Sequence, residues 1–162
     1  MTRLFVTGPT GSGKTTLARN MATRMDVPLH SLDDMHWVRN PDGDVRRAPD
    51  ERETLLDRVA QQKAWVIEGV QFKWADAAMD RADYIVVLDL PRWLDLIRIG
   101  RRFLARRLSD GRNPRSTLAA LREELGWSRD YYEEERALLF EKLKRWKGKV
   151  IVMHDSRDVP IP

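Results

Sequence analysis

The chain has 162 residues, 42% of them hydrophobic, which suits a single domain with a core of ordinary size. It contains no cysteine, which excludes disulfides, thiol nucleophiles and thiolate metal sites, and its net charge of +4 favours anionic ligands. No apolar run approaches the roughly 20 residues of a membrane span and no secretory signal is visible, so we expect a cytoplasmic protein without a membrane partner.

A glycine-rich loop follows the first apolar run. Residues 8–15 read Gly-Pro-Thr-Gly-Ser-Gly-Lys-Thr, a full match to GxxxxGK followed by Ser or Thr. Residues 4–6 predict a strand before it, and the apolar spacing over 15–25 predicts a helix after it. This context favours a phosphate-binding loop over a flexible turn with a solvated lysine. The predicted nucleotide-binding residues are Gly8, Thr10, Gly11, Ser12, Gly13, Lys14, Thr15 and Thr16.

Apolar runs alternate with amphipathic stretches along the rest of the chain. The predicted strands are 4–6, 29–32, 65–67, 84–88 and 150–153, which indicates an α/β fold with a five-stranded parallel sheet flanked by helices. Before the third strand we expect a helix with Asp50 as its N-cap, Glu53 completing a capping box, and an end near Lys63. Residues 91–146 predict a long helical insertion that breaks near 109–114 and again near Gly126. We expect a mobile lid over about 106–128 of a single domain.

The order of these parts resembles a known family. The chain has no Asn-Lys-x-Asp motif for guanine, and it resembles the nucleoside-monophosphate-kinase-like P-loop NTPases. Within them it is most similar to the adenylate-kinase-related DNA topology modulation (FlaR-like) proteins. The resemblance rests on residues 8–16, 32–37 (Leu-Asp-Asp-Met-His-Trp), 65–70 (Trp-Val-Ile-Glu-Gly-Val), 83–93 and 150–157. It implies a three-layer P-loop fold, ATP and Mg²⁺ as cofactors, and a phosphate acceptor that these motifs do not specify.

Two acidic strand ends are candidates for the acceptor and metal sites. In a doubly wound sheet, the carboxyl ends of the strands line the ligand crevice. The resemblance implies Asp34 as a candidate base, with Asp33 supporting it; the alternative is an Asp pair that caps the next loop. His36 and Trp37 are candidates for the acceptor site, although a Trp is as often packed in the core.

Glu68 follows the third predicted strand and precedes Gly69. Related kinases carry an acidic residue here that holds magnesium, so Glu68 and the Thr15 hydroxyl are the candidate metal ligands. Glu68 could instead bind the acceptor or an Arg across the cleft, or be purely structural. Gly69 would keep the approach to this site open.

The insertion is rich in arginine, with eight Arg against two acids over residues 92–115. The resemblance to adenylate kinase implies that Arg98 stacks on adenine and that Arg102 reaches the phosphates. Arg106, with Arg107 and Arg112, would close from the lid onto the transferring group. The alternative is a solvated basic helix face.

Two further residues come from the same resemblance. Arg136 lies where relatives direct an Arg back to the cleft, although the spacing differs here. Ser156 lies in the loop that relatives place against adenine.

These motifs predict an ATP-dependent phosphotransferase that acts on a nucleotide, a nucleoside or another small hydroxylated acceptor. The expected catalytic residues are Lys14, Asp34, Arg102 and Arg106. The alternative is a nucleotide-dependent regulator with weak ATPase activity, in which the Arg-rich segment binds nucleic acid; nucleic acid is the less favoured partner. A nucleotide-binding protein without turnover is the third interpretation.

Overall fold

A parallel sheet of five strands forms the centre of the structure. The computed structural model describes residues 2–41, 43–109 and 117–154. The strands are β1 (Arg3–Thr7), β2 (Leu29–Ser31), β3 (Trp37–Val38), β4 (Val45–Arg46), β5 (Trp65–Glu68), β6 (Tyr84–Leu88) and β7 (Val150–Met153). The sheet has the order β2-β5-β1-β6-β7, and all its neighbours are parallel. The five-stranded parallel sheet expected from the sequence is therefore confirmed.

Helices cover both faces of the sheet. They are α1 (Lys14–Met25), α2 (Leu32–His36), α3 (Pro49–Ala60), α4 (Asp76–Arg81), α5 (Arg92–Ser109), α6 (Leu118–Asp130) and α7 (Arg136–Leu143). Side chains alternate along each strand, so Leu4 and Val6 pack with α1, whereas Phe5 packs on the opposite face with α3, α4 and α7. Both faces are buried, which explains why these strands read as continuous apolar runs. No helix in the described ranges is long and apolar enough to cross a bilayer.

Two local predictions differ from the structure, and one pair of strands was not predicted. Helix α3 begins at Pro49 with Ala48 as its N-cap and no side-chain cap, so Asp50 lies in the first turn and the predicted capping box is wrong. Proline suits this first helical position, because its missing N–H would be unpaired there anyway. Gly126 does not break the insertion, since α6 continues through it to Asp130. The short antiparallel pair β3–β4 was not predicted.

The predicted break near 109–114 lies almost entirely outside the described residues, and within them an irregular segment of the insertion follows α6. Residues Tyr131–Glu135 form one π-helical stretch that leads directly into α7. Within it Tyr131 is buried, and the Tyr132 hydroxyl donates to the Leu90 carbonyl at 2.7 Å. Just beyond it, Arg136 donates two hydrogen bonds of 2.7 Å to the carboxylate of Asp89. The π-helical stretch therefore sets how α7 meets the end of β6.

Candidate active site

The loop between β1 and α1 wraps tightly at the carboxyl edge of the sheet. At Gly8, φ is +150°, and a Cβ there would lie 2.6 Å from the Leu88 carbonyl oxygen. Gly11 has a φ of +87°, in the left-handed region that glycine adopts without strain. Ser12 is completely buried, and its hydroxyl has no hydrogen-bond partner among the described residues. This backbone leaves the N–H groups at the start of α1 in position to bind an anion.

Lys14 and Thr15 are the first two residues of α1, and they lie beside the end of β5. The Thr15 hydroxyl donates to Glu68 Oε2 at 3.2 Å. The other carboxylate oxygen of Glu68 accepts a hydrogen bond of 3.0 Å from Ser31, the last residue of β2. Glu68 is buried, so its position is fixed by these two hydroxyl groups. The structure thus brings together the two side chains expected to hold a metal.

The ammonium group of Lys14 lies within the phosphate loop, near enough to the carboxylates of Glu68 and Asp33 to interact with their charge. Its Nζ donates to the Pro9 carbonyl at 3.3 Å, within the loop itself. Burial lowers the pKa of Lys14, while the carboxylates of Glu68 and Asp33 oppose this change.

A cleft of about 550 Å³ opens in front of the loop. Its size is in the range of small-molecule sites, which run from about 300 to 1,000 Å³. Most residues predicted for the site lie on its wall: Thr10, Gly11, Gly13, Lys14, Thr15, Thr16, Asp33, His36, Trp37, Arg102 and Arg106. The cleft therefore joins the phosphate loop, α2 and the Arg-bearing helix α5.

The two aspartates of α2 face different surroundings. Asp33 lines the cleft, and its Oδ1 accepts a hydrogen bond from the side chain of Gln71. The side chain of Asp34 is 74% exposed and is not part of the cleft wall, although it lies 3.8 Å from Arg39, which does line the cleft. Consecutive helical residues point about 100° apart, so the two neighbouring carboxylates face different directions. Of the two aspartates expected at the acceptor site, Asp33 therefore lies on the cleft wall and Asp34 does not.

Aromatic and basic side chains form the wall opposite the loop. The His36 and Trp37 rings meet edge to face at 4.9 Å, and the Arg46 guanidinium lies 5.4 Å from the Trp37 ring centre. Burial lowers the pKa of His36, and the nearby charges of Arg52 and Arg46 lower it further. Arg46 lines the cleft and, within the described part of the chain, has no carboxylate partner. Sequence reasoning missed Arg46, because its position depends on the unpredicted β3–β4 pairing.

A buried glutamate holds the two arginines of α5 that face the cleft. Glu124 of α6 accepts hydrogen bonds of 2.8 Å from Arg102 and from Arg106. Burial raises the pKa of Glu124, but the hydrogen bonds and charges of Arg106 and Arg102 outweigh burial and hold that pKa below its ordinary value. Glu124 was also missed, although two arginines four residues apart on one helix face are a signal that a buried countercharge exists.

Other predicted site residues lie away from the cleft wall. Arg98 donates to the Ser12 carbonyl at 2.5 Å, so it contacts the back of the loop. Arg136 is paired with Asp89, and Gly69 lies behind the wall, where its N–H donates to the Val6 carbonyl. Arg112 and Ser156 fall outside the described residues.

The fold is similar to that of a solved kinase. A gluconokinase from Sinorhizobium meliloti 1021 superposes with a TM-score of 0.50 at 17% sequence identity, over 98% of this chain and 84% of that chain. The chain has a P-loop kinase fold. An uncharacterized protein from Eubacterium ventriosum ATCC 27560 is also similar, with a TM-score of 0.47 and 14% identity, over 80% of this chain and 76% of that chain.

At these identities the likeness establishes the fold alone. No protein-family model matches the sequence, and no curated protein matches it significantly. The FlaR-like branch expected from the motifs is therefore not confirmed.

The residues at the loop fit a nucleotide phosphate and a hard divalent cation. The Ser12 hydroxyl, which has no partner among the described residues, the helix N-terminus and Lys14 offer donors to phosphate oxygens. Thr15 and Glu68 offer the oxygen ligands that magnesium prefers. Within the described ranges, no three or more His, Cys, Asp or Glu side chains are arranged so that they could hold a metal ion. A two-oxygen site suits magnesium, which keeps several waters and binds through one or two carboxylates together with substrate phosphates.

Proposed function

We propose that this protein is an ATP-dependent phosphotransferase that acts on a small hydroxylated acceptor. The observation that carries the proposal is a cleft lined by Lys14, Thr15 and Asp33, in which the Thr15 hydroxyl is bonded to the buried Glu68. A cation, a hydroxyl–carboxylate pair and a second carboxylate in one cleft are the groups that phosphoryl transfer requires.

The loop and the α5 arginines would supply positioning and positive charge. The loop N–H groups and Lys14 hold the phosphates, and Arg102 and Arg106 face the same cleft from α5. Magnesium, held through Thr15 and Glu68, would neutralise charge on the phosphates when bound. Because phosphoryl transfer depends chiefly on positioning and electrostatics, these residues account for most of the expected rate enhancement.

Asp33 is the proposed residue that orients the acceptor. Its Oδ1 is held by Gln71, which fixes the carboxylate toward the cleft. It accepts the proton of the acceptor hydroxyl as the hydroxyl oxygen bonds to the γ-phosphorus and the bond to the leaving ADP oxygen breaks. We assign this role to Asp33 in place of Asp34, because Asp33 lines the cleft, whereas the side chain of Asp34 is 74% exposed and is not part of the cleft wall.

The acceptor is proposed to carry an anionic group. Arg46 lies over Trp37 on the cleft wall without a carboxylate partner in the described ranges, and the pKa of His36 is lowered by burial and by excess positive charge. A carboxylate or phosphate on the acceptor would balance this charge. Nucleoside monophosphates and polyhydroxy acids both meet this requirement.

The nucleic-acid regulator receives less support. Arg102 and Arg106 are bound to Glu124, and Arg92 is paired with Glu133 at 3.3 Å. These pairs neutralise part of the basic face that a phosphodiester backbone would need.

The test is transfer of the terminal phosphate of radiolabelled ATP, with magnesium, to a panel of nucleosides, nucleoside monophosphates and polyhydroxy acids including gluconate. Labelled product from one acceptor, absent with Lys14→Ala, is the expected result. ATP binding with neither transfer nor acceptor-stimulated hydrolysis contradicts the proposal. In that case, DNA or RNA binding that falls steeply with salt would support the regulator.

A further inference from the structure

A buried carboxyl group of α5 lies against the phosphate loop. Asp95 is completely buried, and a Cβ at Gly11 would lie 2.5 Å from its Oδ1 atom. This Oδ1 has no hydrogen-bond partner among the described residues, whereas Oδ2 accepts a hydrogen bond of 2.6 Å from Ser128. The carboxyl group therefore spans the gap between the loop and α6.

A second contact joins α5 to the loop at the next residue. Arg98, three residues after Asp95, donates to the Ser12 carbonyl at 2.5 Å. Residues three apart on a helix share a face, so both side chains point toward the loop. Helix α5 thus contacts two consecutive loop residues, Gly11 and Ser12, from one side.

We propose that Asp95 is a positioning residue of this site, whose carboxyl group braces the loop at Gly11 and couples the loop to α6 through Ser128. Helix α6 also carries Glu124, which holds Arg102 and Arg106. One helix would therefore set both the phosphate loop and the two arginines that face it. The contacts of Asp95 with the loop and with Ser128 exist in the protein without nucleotide. Only the predicted effect of nucleotide on Asp95 rests on the proposed function.

Several charged or titratable groups face Asp95. From the packed elements they are Lys14 of α1, Arg98 and Arg102 of α5, and Tyr132 of the π-helical stretch. Burial raises the pKa of Asp95, while the hydrogen bond from Ser128 and the three cations oppose this rise. A phosphate in the loop would add negative charge nearby and favour the protonated carboxyl group. Nucleotide binding should therefore take up a proton, and the affinity should increase as the pH falls through the pKa of Asp95.

The test is a pH titration of the ¹⁵N-labelled, nucleotide-free protein by NMR, following the Gly11 amide. In the natural chain the resonance should shift with a midpoint above the ordinary Asp range. Asp95→Asn, which keeps the side-chain shape, should abolish the shift. Ser128→Ala should move the midpoint to higher pH, because it removes a donor that favours the charged form. Asp57→Asn, which removes an exposed carboxylate of α3, should leave the titration unchanged.

Three results would overturn the brace: no Gly11 titration in the natural chain, the same titration in Asp95→Asn, or an unchanged midpoint in Ser128→Ala. A loosened fold would hydrate Asp95 and lower the midpoint, which is opposite to the shift expected for Ser128→Ala. Thermal unfolding of each variant checks that it remains folded. Adding ADP should raise the midpoint. If ADP leaves every loop resonance unchanged, the proposed nucleotide site fails, while the nucleotide-free titration still decides the role of Asp95.

Discussion

The loop side of the cleft and its arginine side are built in different ways. On the loop side, eight consecutive residues supply both the backbone turn and Lys14, and Glu68, Asp95 and Arg98 contact these residues from β5 and α5. On the arginine side, Arg102 and Arg106 of α5 depend on Glu124, which lies about twenty residues further along the chain, on another helix. Local sequence therefore determines the first wall, whereas helix packing determines the second. Substitutions should accordingly have all-or-none effects on the loop and graded effects on the arginine side.

The largest expected effect comes from the loop. Lys14→Ala removes the cation of the phosphate loop, and transfer should fall by roughly 10²–10³-fold, as it does when a preorganised charge-stabilising donor is lost. Steady-state transfer from labelled ATP measures it. Arg19→Ala is the matched control, because it removes an exposed positive charge from the same helix. Unchanged ATP affinity and phosphate release in Lys14→Ala would show that the loop does not bind phosphate.

The second prediction separates the two aspartates of α2. Asp33→Asn should retain ATP binding and lower transfer by at least about tenfold, or roughly 1.4 kcal/mol of barrier. Asp34→Asn should change the rate of transfer little, because the carboxylate of Asp34 is 74% exposed and is not part of the cleft wall. Single-turnover transfer compares them. A larger loss in Asp34→Asn would restore the original sequence-based assignment.

The third prediction addresses the buried link on the arginine side. Glu124→Gln removes the buried charge that Arg102 and Arg106 share, and we expect a loss of about 1–2 kcal/mol in the free energy of unfolding. This is below the usual cost of breaking a buried pair, because Arg102 and Arg106 keep 36% and 22% of their side-chain surface exposed.

The pH dependence of this loss gives a sharper check. The pKa of Glu124 is held below its ordinary value, so its charge stabilises the fold above that value, and the contribution disappears as the pH falls through the folded-state pKa. The stability gap between the natural chain and Glu124→Gln should therefore be widest at neutral pH and close in acid. Denaturant unfolding at several pH values measures it, and a gap that is independent of pH would mean that the charge of Glu124 contributes nothing.

The smallest expected effect lies on the acceptor wall. Arg46→Gln should raise the KM for an anionic acceptor severalfold and leave the KM for ATP unchanged, because Arg46 stacks on Trp37 across the cleft from the loop. Arg58→Gln, at an exposed position of α3, is the control. An equal KM increase for ATP and acceptor would place Arg46 at the nucleotide instead.

The sequence predicted the sheet and the loop because both depend on adjacent residues. Apolar runs such as 84–88 coincide with β6, and the GxxxxGKT motif carries its own geometry. Which of Asp33 and Asp34 faces the cleft depended on where β2 ends. The strand ends at Ser31, and the two aspartates lie on the short helix α2, where neighbouring side chains point in different directions. The sequence could not predict that Glu124 pairs with Arg102 or that Asp95 bonds to Ser128, because both contacts depend on how α5 and α6 pack together.

The π-helical stretch over Tyr131–Glu135 has a consequence for related chains that differ in length. A π-helical turn accommodates one residue more than an α-helical turn, so deleting a single residue there would restore regular α-helix and rotate everything after it by about 100°. Arg136 would then turn away from Asp89, and the hydroxyl of Tyr132 would leave the Leu90 carbonyl. A homologue lacking one residue at this point should therefore lack the Arg–Asp pair as well, and the two features should be gained or lost together.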